Sequence, residues 1–569
     1  MSPLRRLFAV VALTLVAAPL IASAPLFDPD EGLHAAIAQE MVQRGDYVTP
    51  TFRGEPFLDK PILFFWTEAA SLRVFGHNEA AVRIPPLLFG LFGMVMVALL
   101  GRTLAGESAG LIAGIVYGTM LLPLGVSEVA VHDIGLVAFL CIAALCLARV
   151  ADLPPASGIV AATFPGLAVR GEPVASHRRN IVVNGVIAGV ALGLSILTKG
   201  LVGIVFAGIF GACLVVRRPA TFVRVALTLT LAVLMACLVA APWYVAMEYA
   251  HPGYLHYYFV ERHLQGYLTA TQRHGGRPLW YYLPIVVGGA LPWTAYLAGA
   301  ALGVRSSAAA ALGAGTSLRR VLWGWFAIGL VFLSIGESKL VTYALPLFPA
   351  LALIVGDYVS TAGTPRAPVG GLPFRVAFAT HVLTLALLPA LGLILIQSKF
   401  HHVEVSAWIA VGVVGVLTLG AGRRAAQSTS TDSLMTGIVG MTVLSVIGMM
   451  IVAPRAAAWM TSRDLAASLN RDATLPPHVS IVDERVGSVI FYLDPRLRAD
   501  ATRDRVDATS FPEALTRVRT DPPDALTAVR NSQLPRFNRM FPSPPAPDRV
   551  AGTFSLFRAD TLRAALAER

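Results

Sequence analysis

Charged residues are scarce in this sequence. Aspartate, glutamate, lysine and arginine make up only 14% of the 569 residues, while 55% are hydrophobic and the mean hydropathy is +0.66. A water-soluble chain of this length needs more polar surface than that. Apolar runs close to the roughly 20 residues that cross a bilayer recur along the chain. The composition therefore excludes a soluble fold and predicts an α-helical polytopic membrane protein.

Cysteine is scarce as well, and no internal repeat is visible. The four cysteines lie in apolar runs without metal-type spacing to a histidine, at Cys141, Cys146, Cys213 and Cys237. We expect small buried residues and no disulfide framework. The net charge of +11 would indicate nucleic acid in a soluble protein. Here we expect it to reflect basic cytoplasmic loops, with no nucleic-acid partner.

Hydropathy predicts about thirteen membrane spans. They cover residues 7–26, 80–101, 108–126, 130–149, 181–198, 201–216, 222–242, 281–301, 320–335, 341–358, 375–397, 406–421 and 434–453. The first run has the basic start and small-residue end of a signal peptide. We interpret it as an uncleaved span, because the later spans then give a consistent topology with a cytoplasmic N-terminus.

Loop charge supports that orientation. The ends assigned to the cytoplasm, including the loops 151–180 and 422–433, carry Arg5, Arg6, Arg102, Arg149, Arg178, Arg179, Arg217, Arg218, Arg319, Arg320, Arg423 and Arg424, as the positive-inside rule requires. The outer ends collect both signs of charge, from Asp28, Asp30, Glu31, Asp59, Lys60, Glu128, Asp133, Lys199, His263, Glu337 and Lys339. Charges gathered at the outer membrane boundary indicate a functional surface there.

Two outer segments are long. Residues 27–79 predict two helices that lie on the membrane, at 29–44 and 61–75, and residues 243–280 carry an interfacial aromatic run. The composition changes after Val452. We expect residues 1–453 to form the membrane domain and residues 454–569 a small soluble α/β domain outside the membrane, with strands at VSIVDE and SVIFYLD.

The stretch DPDEGLHAAIAQEM begins the first outer helix. Asp28 and Glu31 have the spacing of a capping box, with Pro29 at the first helical position. Capping does not require Asp30, which shares a helix face with His34. Asp133, Lys199, Asp59 and Lys60 each have an ordinary explanation, such as interfacial hydration, snorkelling or mutual pairing. Together they predict an outer pocket for a phosphate-bearing lipid.

Five stretches resemble one known family. They are DEGLHAAIAQEMVQRGDYVTPTFRGEPFLDKPILFFW from Asp30, the segment around Asp133, LTKG, PLWYYLPIVVGGALPW and SKLVTYALPLFPALA. The chain resembles GT-C glycosyltransferases that use polyprenyl-phosphate donors, with the greatest likeness to bacterial lipid A aminoarabinose transferases, relatives of the protein mannosyltransferases. The likeness covers residues 1 to about 360 well. It departs at His34, Arg262 and Gly266, where the family often has tyrosine, glutamate and arginine, so sugar and acceptor choice stay open.

The resemblance implies a GT-C fold and roles for individual residues. The family's acids fall on Asp30 and Asp133, which would be catalytic. The carrier phosphate and substrate would be bound by Lys60, Lys199, Lys339, Tyr343 and His34. A divalent ion (zinc, magnesium or manganese) would lie at Asp59 and His263. No nucleotide or organic cofactor is expected.

The resemblance also predicts the reaction and its place. An inverting glycosyltransferase would move a sugar from a polyprenyl-phosphate carrier to lipid A, on the periplasmic side of a bacterial inner membrane. A protein, polysaccharide or other glycolipid acceptor is the alternative. A transporter is a distant one, because transporters place charges near the bilayer midplane. We expect a monomer whose partners are the lipid-linked donor, the acceptor and membrane lipids.

Overall fold

The structure is a computed structural model that describes residues 3–17, 24–151, 174–269, 276–303, 314–363, 371–400 and 403–567. In these parts of the chain, nine helices are long and apolar enough to cross a membrane, or eleven with two bent pairs counted. The multi-pass helical fold is therefore confirmed. Residues 18–23 of the first predicted span and residues 152–173 of one predicted cytoplasmic loop lie outside the described residues.

Most helices of the membrane domain follow the predicted spans, but the predicted spans 108–126 and 281–301 are each broken into two helices, bent by 64° and 105°. The helices are α1 (Pro3–Ala17), α2 (Asp30–Arg44), α3 (Leu63–Phe75), α4 (Glu79–Ala105), α5 (Glu107–Thr119), α6 (Leu121–Ser127), α7 (Asp133–Val150), α8 (Val174–Lys199), α9 (Val202–Arg217), α10 (Phe222–Ala250), α11 (Tyr282–Gly289), α12 (Thr294–Gly303), α13 (Ala314–Ile335), α14 (Phe348–Ala362), α15 (Gly371–Phe400), α16 (Val405–Ala425) and α17 (Thr431–Met460). A π-helical segment covers His256–Gln265, and 3₁₀ segments cover Pro219–Thr221, Leu279–Tyr281 and Val341–Leu347.

Burial separates the central helices from those that face lipid. The apolar window of α7 is 89% buried inside the protein, whereas that of the segment Pro219–Ala250 is 22% buried. An apolar surface needs no covering in a bilayer, so peripheral helices stay hydrophobic all round. This corrects the expectation for Cys237, which is exposed on α10, while Cys141, Cys146 and Cys213 are buried as expected.

The two outer helices are confirmed, but the predicted capping box is wrong. No side chain caps α2. Glu31 instead forms a buried ion pair with Arg83 of α4 at 2.7 Å, and its carboxylate also accepts from Phe27 N at 2.9 Å. A buried charge requires a partner, and this pair fixes the start of α2 against α4.

The C-terminal domain is built on a five-stranded mixed sheet. Strands β3 (Val479–Val482), β4 (Val506–Thr509), β5 (Leu526–Arg530), β6 (Arg549–Ala551) and β7 (Phe554–Arg558) lie in the order β4-β3-β5-β7-β6. β3 is parallel to both neighbours, and β7 is antiparallel to β5 and β6. A short hairpin of β1 (Thr51–Phe52) and β2 (Glu55–Pro56) lies in the outer loop. The domain helices are α18 (Arg463–Leu469), α19 (Gly487–Tyr492), α20 (Pro495–Arg498), α21 (Phe511–Thr520), α22 (Leu534–Asn538) and α23 (Ala559–Ala567).

One predicted strand is wrong. VSIVDE forms β3, but SVIFYLD forms α19, because this segment packs against α2. Gly32 and Gly487 meet at that contact. A Cβ on Gly32 would lie 2.5 Å from Ser488 N, and a Cβ on Gly487 would meet the backbone of Leu33. The two glycines let the domain approach α2 closely.

Candidate functional site

Lys199 and Asp133 form the centre of a polar group at the end of α8 and the start of α7. Their side chains are joined at 2.7 Å and are 12% and 8% exposed. Lys199 ends α8, where Gly200 turns the chain with φ of +82°. Lys199 Nζ also lies 4.9 Å from the centroid of the Tyr343 ring, within the range of a cation–π contact. Two residues that lie 66 positions apart in the sequence are therefore in direct contact in the structure.

Lys60 lies in the same group and is uncommitted. Within the described parts of the chain, its ammonium has no hydrogen-bond or ion-pair partner. Burial, and next the positive charge of Lys199, lower the pKa of Lys60 to about 8. The ammonium is therefore charged at neutral pH and available to an incoming anion.

Asp30 and His34 complete the group from the start of α2. Asp30 is exposed, and its charge acts on both His34 and Lys199. His34 Nδ1 donates to the carbonyl of Ala130 at 2.8 Å, which leaves Nε2 as an acceptor. Burial lowers the pKa of His34 to about 4, so the imidazole is neutral at pH 7. We call these residues the outer pocket: Asp30, His34, Lys60, Asp133, Lys199 and Tyr343.

Lys339 is buried, but the structure does not bring it into the outer pocket. Its Nζ donates to the carbonyl of Arg277 at 3.2 Å, and its side chain is 2% exposed. None of its described contacts reaches Lys60 or Lys199. Its predicted role at the carrier phosphate stays a prediction.

Asp59 and His263 do not fit a divalent metal as they stand. One Asp59 oxygen accepts from Tyr257 Oη at 2.7 Å, and the other lies 3.1 Å from the guanidinium of Arg262. His263 Nδ1 donates to the Tyr258 carbonyl at 2.7 Å. Among the described residues, no group of three histidine, cysteine, aspartate or glutamate side chains could hold a metal ion. Arg262 already supplies positive charge at Asp59.

Two buried groups beneath the pocket were not predicted. His132 is 1% exposed, neither of its ring nitrogens has a hydrogen-bond partner among the described residues, and its ring lies 4.5 Å from that of His34. Glu68 of α3 is fully buried, its carboxylate has no partner within the described parts of the chain, and burial raises its pKa well above the usual range. The sequence offered a signal for each of them: His132 directly precedes Asp133, and Glu68 is an acid within an aromatic run.

The arrangement can bind an anion and hold a nucleophile beside it. Lys60 and Lys199 provide two cations, and Asp30 provides an exposed carboxylate whose charge acts on Lys199. In a desolvated site such charges act more strongly than in water. The fold and the pocket therefore define a membrane-embedded protein that can bind a lipid with an anionic head group.

Comparison with known proteins shows that the chain is similar to GT-C transferases. Residues 59–170 match the family described as dolichyl-phosphate-mannose-protein mannosyltransferase. The structure of ArnT from Cupriavidus metallidurans bound to undecaprenyl phosphate superposes with a TM-score of 0.70 at 21% identity, covering 97% of both chains. The GT-C fold predicted from the sequence is thereby confirmed.

The particular relatives are aminoarabinose transferases. The chain is 31% identical over 343 residues to the undecaprenyl phosphate-alpha-4-amino-4-deoxy-L-arabinose arabinosyl transferase of Enterobacter sp. (strain 638), covering 60% of this chain and 57% of the relative. It is 30% identical over 392 residues to the protein of that name from Erwinia tasmaniensis, covering 66% of this chain and 63% of the relative. The matches thus span less than two-thirds of the relatives' length. They confirm the resemblance predicted from the sequence.

Proposed function

We propose that this protein is an inverting glycosyltransferase. It takes a sugar from a polyprenyl-phosphate carrier and transfers it to lipid A, in the manner of aminoarabinose transfer. The names of the relatives, and the undecaprenyl phosphate bound in the Cupriavidus structure, support the donor. The single observation that carries the proposal is the ion pair of Lys199 with Asp133, whose charges both act on the buried ammonium of Lys60.

The reaction exchanges one C–O bond for another at the anomeric carbon. The bond from that carbon to the carrier phosphate breaks, and the departing phosphate takes the electron pair. Lys60 and Lys199 stabilise the charge that develops there, and Tyr343 supports Lys199. The acceptor oxygen forms the new bond from the opposite face, which inverts the anomeric centre.

Asp30 serves the acceptor. It orients an acceptor hydroxyl and takes its proton as the new bond forms. If the attacking group is a phosphate, it is already anionic, and Asp30 then acts by positioning alone. Asp133 acts through Lys199, because their 2.7 Å ion pair holds the ammonium in place.

The orientation is part of the proposal. Arginines at the alternate ends of the helices support a cytoplasmic N-terminus and a C-terminal domain in the periplasm of a bacterial inner membrane. A nucleotide sugar is not the donor in this arrangement, since the outer pocket faces away from the cytoplasm. One chain supplies all the pocket residues, which supports a monomer.

Reconstituted transfer tests the proposal. The purified protein is placed in vesicles with undecaprenyl-phosphate-linked aminoarabinose and lipid A, and the products are weighed by mass spectrometry. We expect wild type to add one aminoarabinose mass, and Lys60→Met and Asp30→Asn to lose at least about 100-fold in rate, which is the usual scale for such groups. Lys399→Met, at the end of α15, is the matched control and should match wild type.

The same assay separates the alternatives. If lipid A stays unmodified while a protein, a polysaccharide or another glycolipid gains the sugar, lipid A is not the acceptor. The proposed transfer reaction would still hold. Unchanged acceptors of every class would contradict the transferase itself. Full activity in Asp30→Asn would remove the role assigned to that carboxylate.

A further inference from the structure

A cavity lies between α15 and α16, two peripheral helices whose apolar windows are only 33% and 28% buried inside the protein. It has a volume of about 560 Å³, within the range of small-molecule sites, about 300–1,000 Å³. It is lined by Arg375, Phe378, Ala379, Val382, Leu383, Leu419 and Ala426. All of these residues except one arginine are apolar. We call this cavity the α15–α16 groove.

The lining residues form one continuous face on each helix. On α15, Phe378 and Val382 follow Arg375 by three and seven residues, a spacing that keeps side chains on one side of a helix. The two helices are packed together at this place. A Cβ on Gly422 of α16 would lie 2.5 Å from Val382 Cγ1. The position of the groove is therefore fixed by helix packing.

The groove is polar at one end only. Arg375 lies in the second turn of α15, and Leu383 lies eight residues, about 12 Å, further along the helix. Ala426 directly follows α16, and Leu419 lies within that helix. Leu383 and Leu419 are 46% and 49% exposed on these lipid-facing helices. The groove therefore extends from the helix ends into the hydrocarbon, whose two leaflets together are about 30 Å thick.

Arg423 adds a second cation at the polar end. It lies four residues after Leu419 and three before Ala426, on the same face of α16. Arg424 points about 140° away from Leu419 around the helix axis. Arg375 and Arg423 are both exposed, and none of the described residues that line the groove is acidic. The groove thus combines positive charge at its end with apolar walls, which complement an anionic head group and a hydrocarbon chain.

We propose that the α15–α16 groove binds an anionic phospholipid of the bilayer. Arg375 and Arg423 contact the head-group phosphate, which matches the planar guanidinium, and the apolar lining residues contact one acyl chain. Basic pockets between membrane helices favour anionic head groups in the same way. The apolar length of about 12 Å fits an acyl chain confined to one leaflet. This site uses no residue of the outer pocket and is independent of the proposed transfer reaction.

Native mass spectrometry of lipid binding tests the proposal. The full-length protein in detergent is titrated with phosphatidylglycerol or with phosphatidylcholine that has the same acyl chains, and the Kd of the first bound lipid is measured. One arginine near an anionic lipid contributes about fivefold in affinity. We therefore expect wild type to prefer phosphatidylglycerol about 25-fold and Arg375→Gln to prefer it about fivefold. The double variant Arg375→Gln, Arg423→Gln should have no preference.

Two control variants locate the effect. Arg424→Gln removes the same charge from the same turn of α16 but from another face, so it should keep the wild-type preference. Ala379→Trp fills the apolar part of the groove and should weaken the binding of both lipids. Leu391→Trp, at a position 53% exposed on α15 and outside the groove, should weaken neither.

Three results would overturn the inference. The first is an equal Kd for the two lipids in wild type, and the second is a preference that survives the double substitution. The third is an equal loss in Arg423→Gln and Arg424→Gln, because surface charge alone would then explain the preference. If the binding that depends on Arg375 is found for undecaprenyl phosphate and not for phosphatidylglycerol, the occupant is a carrier lipid, and the assignment to a phospholipid is wrong.

Discussion

Under the proposed function, the charge of one side chain, Lys60, sets the pH range of carrier binding. Its pKa is lowered to about 8 by burial and by the charge of Lys199. Above that pH the free protein loses this cation, and one pH unit above a pKa leaves roughly a tenth of a group protonated. We therefore expect kcat/KM for the donor, which reports the free enzyme, to fall about tenfold between pH 7 and pH 9.

An arginine at the same position stays charged over that range. Lys60→Arg should remove the fall in kcat/KM for the donor, whatever its absolute rate, and Lys399→Arg should retain it. A profile for Lys60→Arg that still falls with a midpoint near pH 8 would assign the titration to another group.

The lysines also mark how far the sequence could predict the site. The chain has four lysines among its 45 basic residues, and three of them are predicted site residues: Lys60, Lys199 and Lys339. An ammonium in a chain that otherwise uses arginine is a signal readable without a structure. The ion-pair partners of the charged site residues could not be predicted from the sequence. Asp133 pairs with Lys199, and Arg262 with Asp59, across long separations that only the packing of helices determines.

At the scale of elements, the helix α19 decides how the C-terminal domain meets the membrane domain. Its apolar run is too short to distinguish strand from helix by pattern alone, which is why the sequence predicted a strand. The bilayer spans were predictable because their length is set by the membrane. The close approach of Gly32 and Gly487 was not predictable, because a glycine in the sequence does not show which backbone lies against it.

That approach gives an element-scale prediction. Gly32→Ala places a methyl group 2.5 Å from Ser488 N, so one backbone must move. Overpacking of this kind costs about 1–3 kcal/mol. We expect a melting temperature several degrees below wild type and weaker transfer to the acceptor, measured by thermal unfolding in detergent and by the vesicle assay.

Gly440→Ala on α17 is the matched control. A Cβ there meets nothing within 4 Å among the described residues, and alanine is the better helix former by about 1 kcal/mol. Its melting temperature should equal or exceed that of wild type. If Gly32→Ala is as stable as Gly440→Ala, the two backbones are not in the close contact described.

At the scale of the whole molecule, Asp28 joins three parts of the chain. Its backbone N–H donates to the carbonyl of Met460 at the end of α17. Its carboxylate accepts from Ser488 N at 3.1 Å and from the hydroxyls of Ser488 and Ser462. Burial raises its pKa from 3.8 to about 6, against the effect of these hydrogen bonds, and the nearby charge of Glu484 adds to the increase.

The burial of Asp28 among these contacts makes the stability of the folded protein depend on pH. A carboxyl whose pKa is higher in the folded state favours folding when protonated, so the gain is complete below pH 3.8 and is lost as the pH rises through about 6. The interval corresponds to about 3 kcal/mol. Asp28→Asn has no such proton. Its melting temperature, relative to wild type, should therefore be higher at pH 7.5 than at pH 4.

A surface acid provides the comparison that isolates this effect. Asp524 is exposed in the same domain, so the difference between Asp524→Asn and wild type should be nearly the same at both pH values. Other titrating groups are shared by all three proteins and cancel in these differences. A difference between Asp28→Asn and wild type that does not change from pH 4 to pH 7.5 would show that Asp28 has the same pKa folded and unfolded. The contact between the two domains would then have no effect on the pKa of the Asp28 carboxyl.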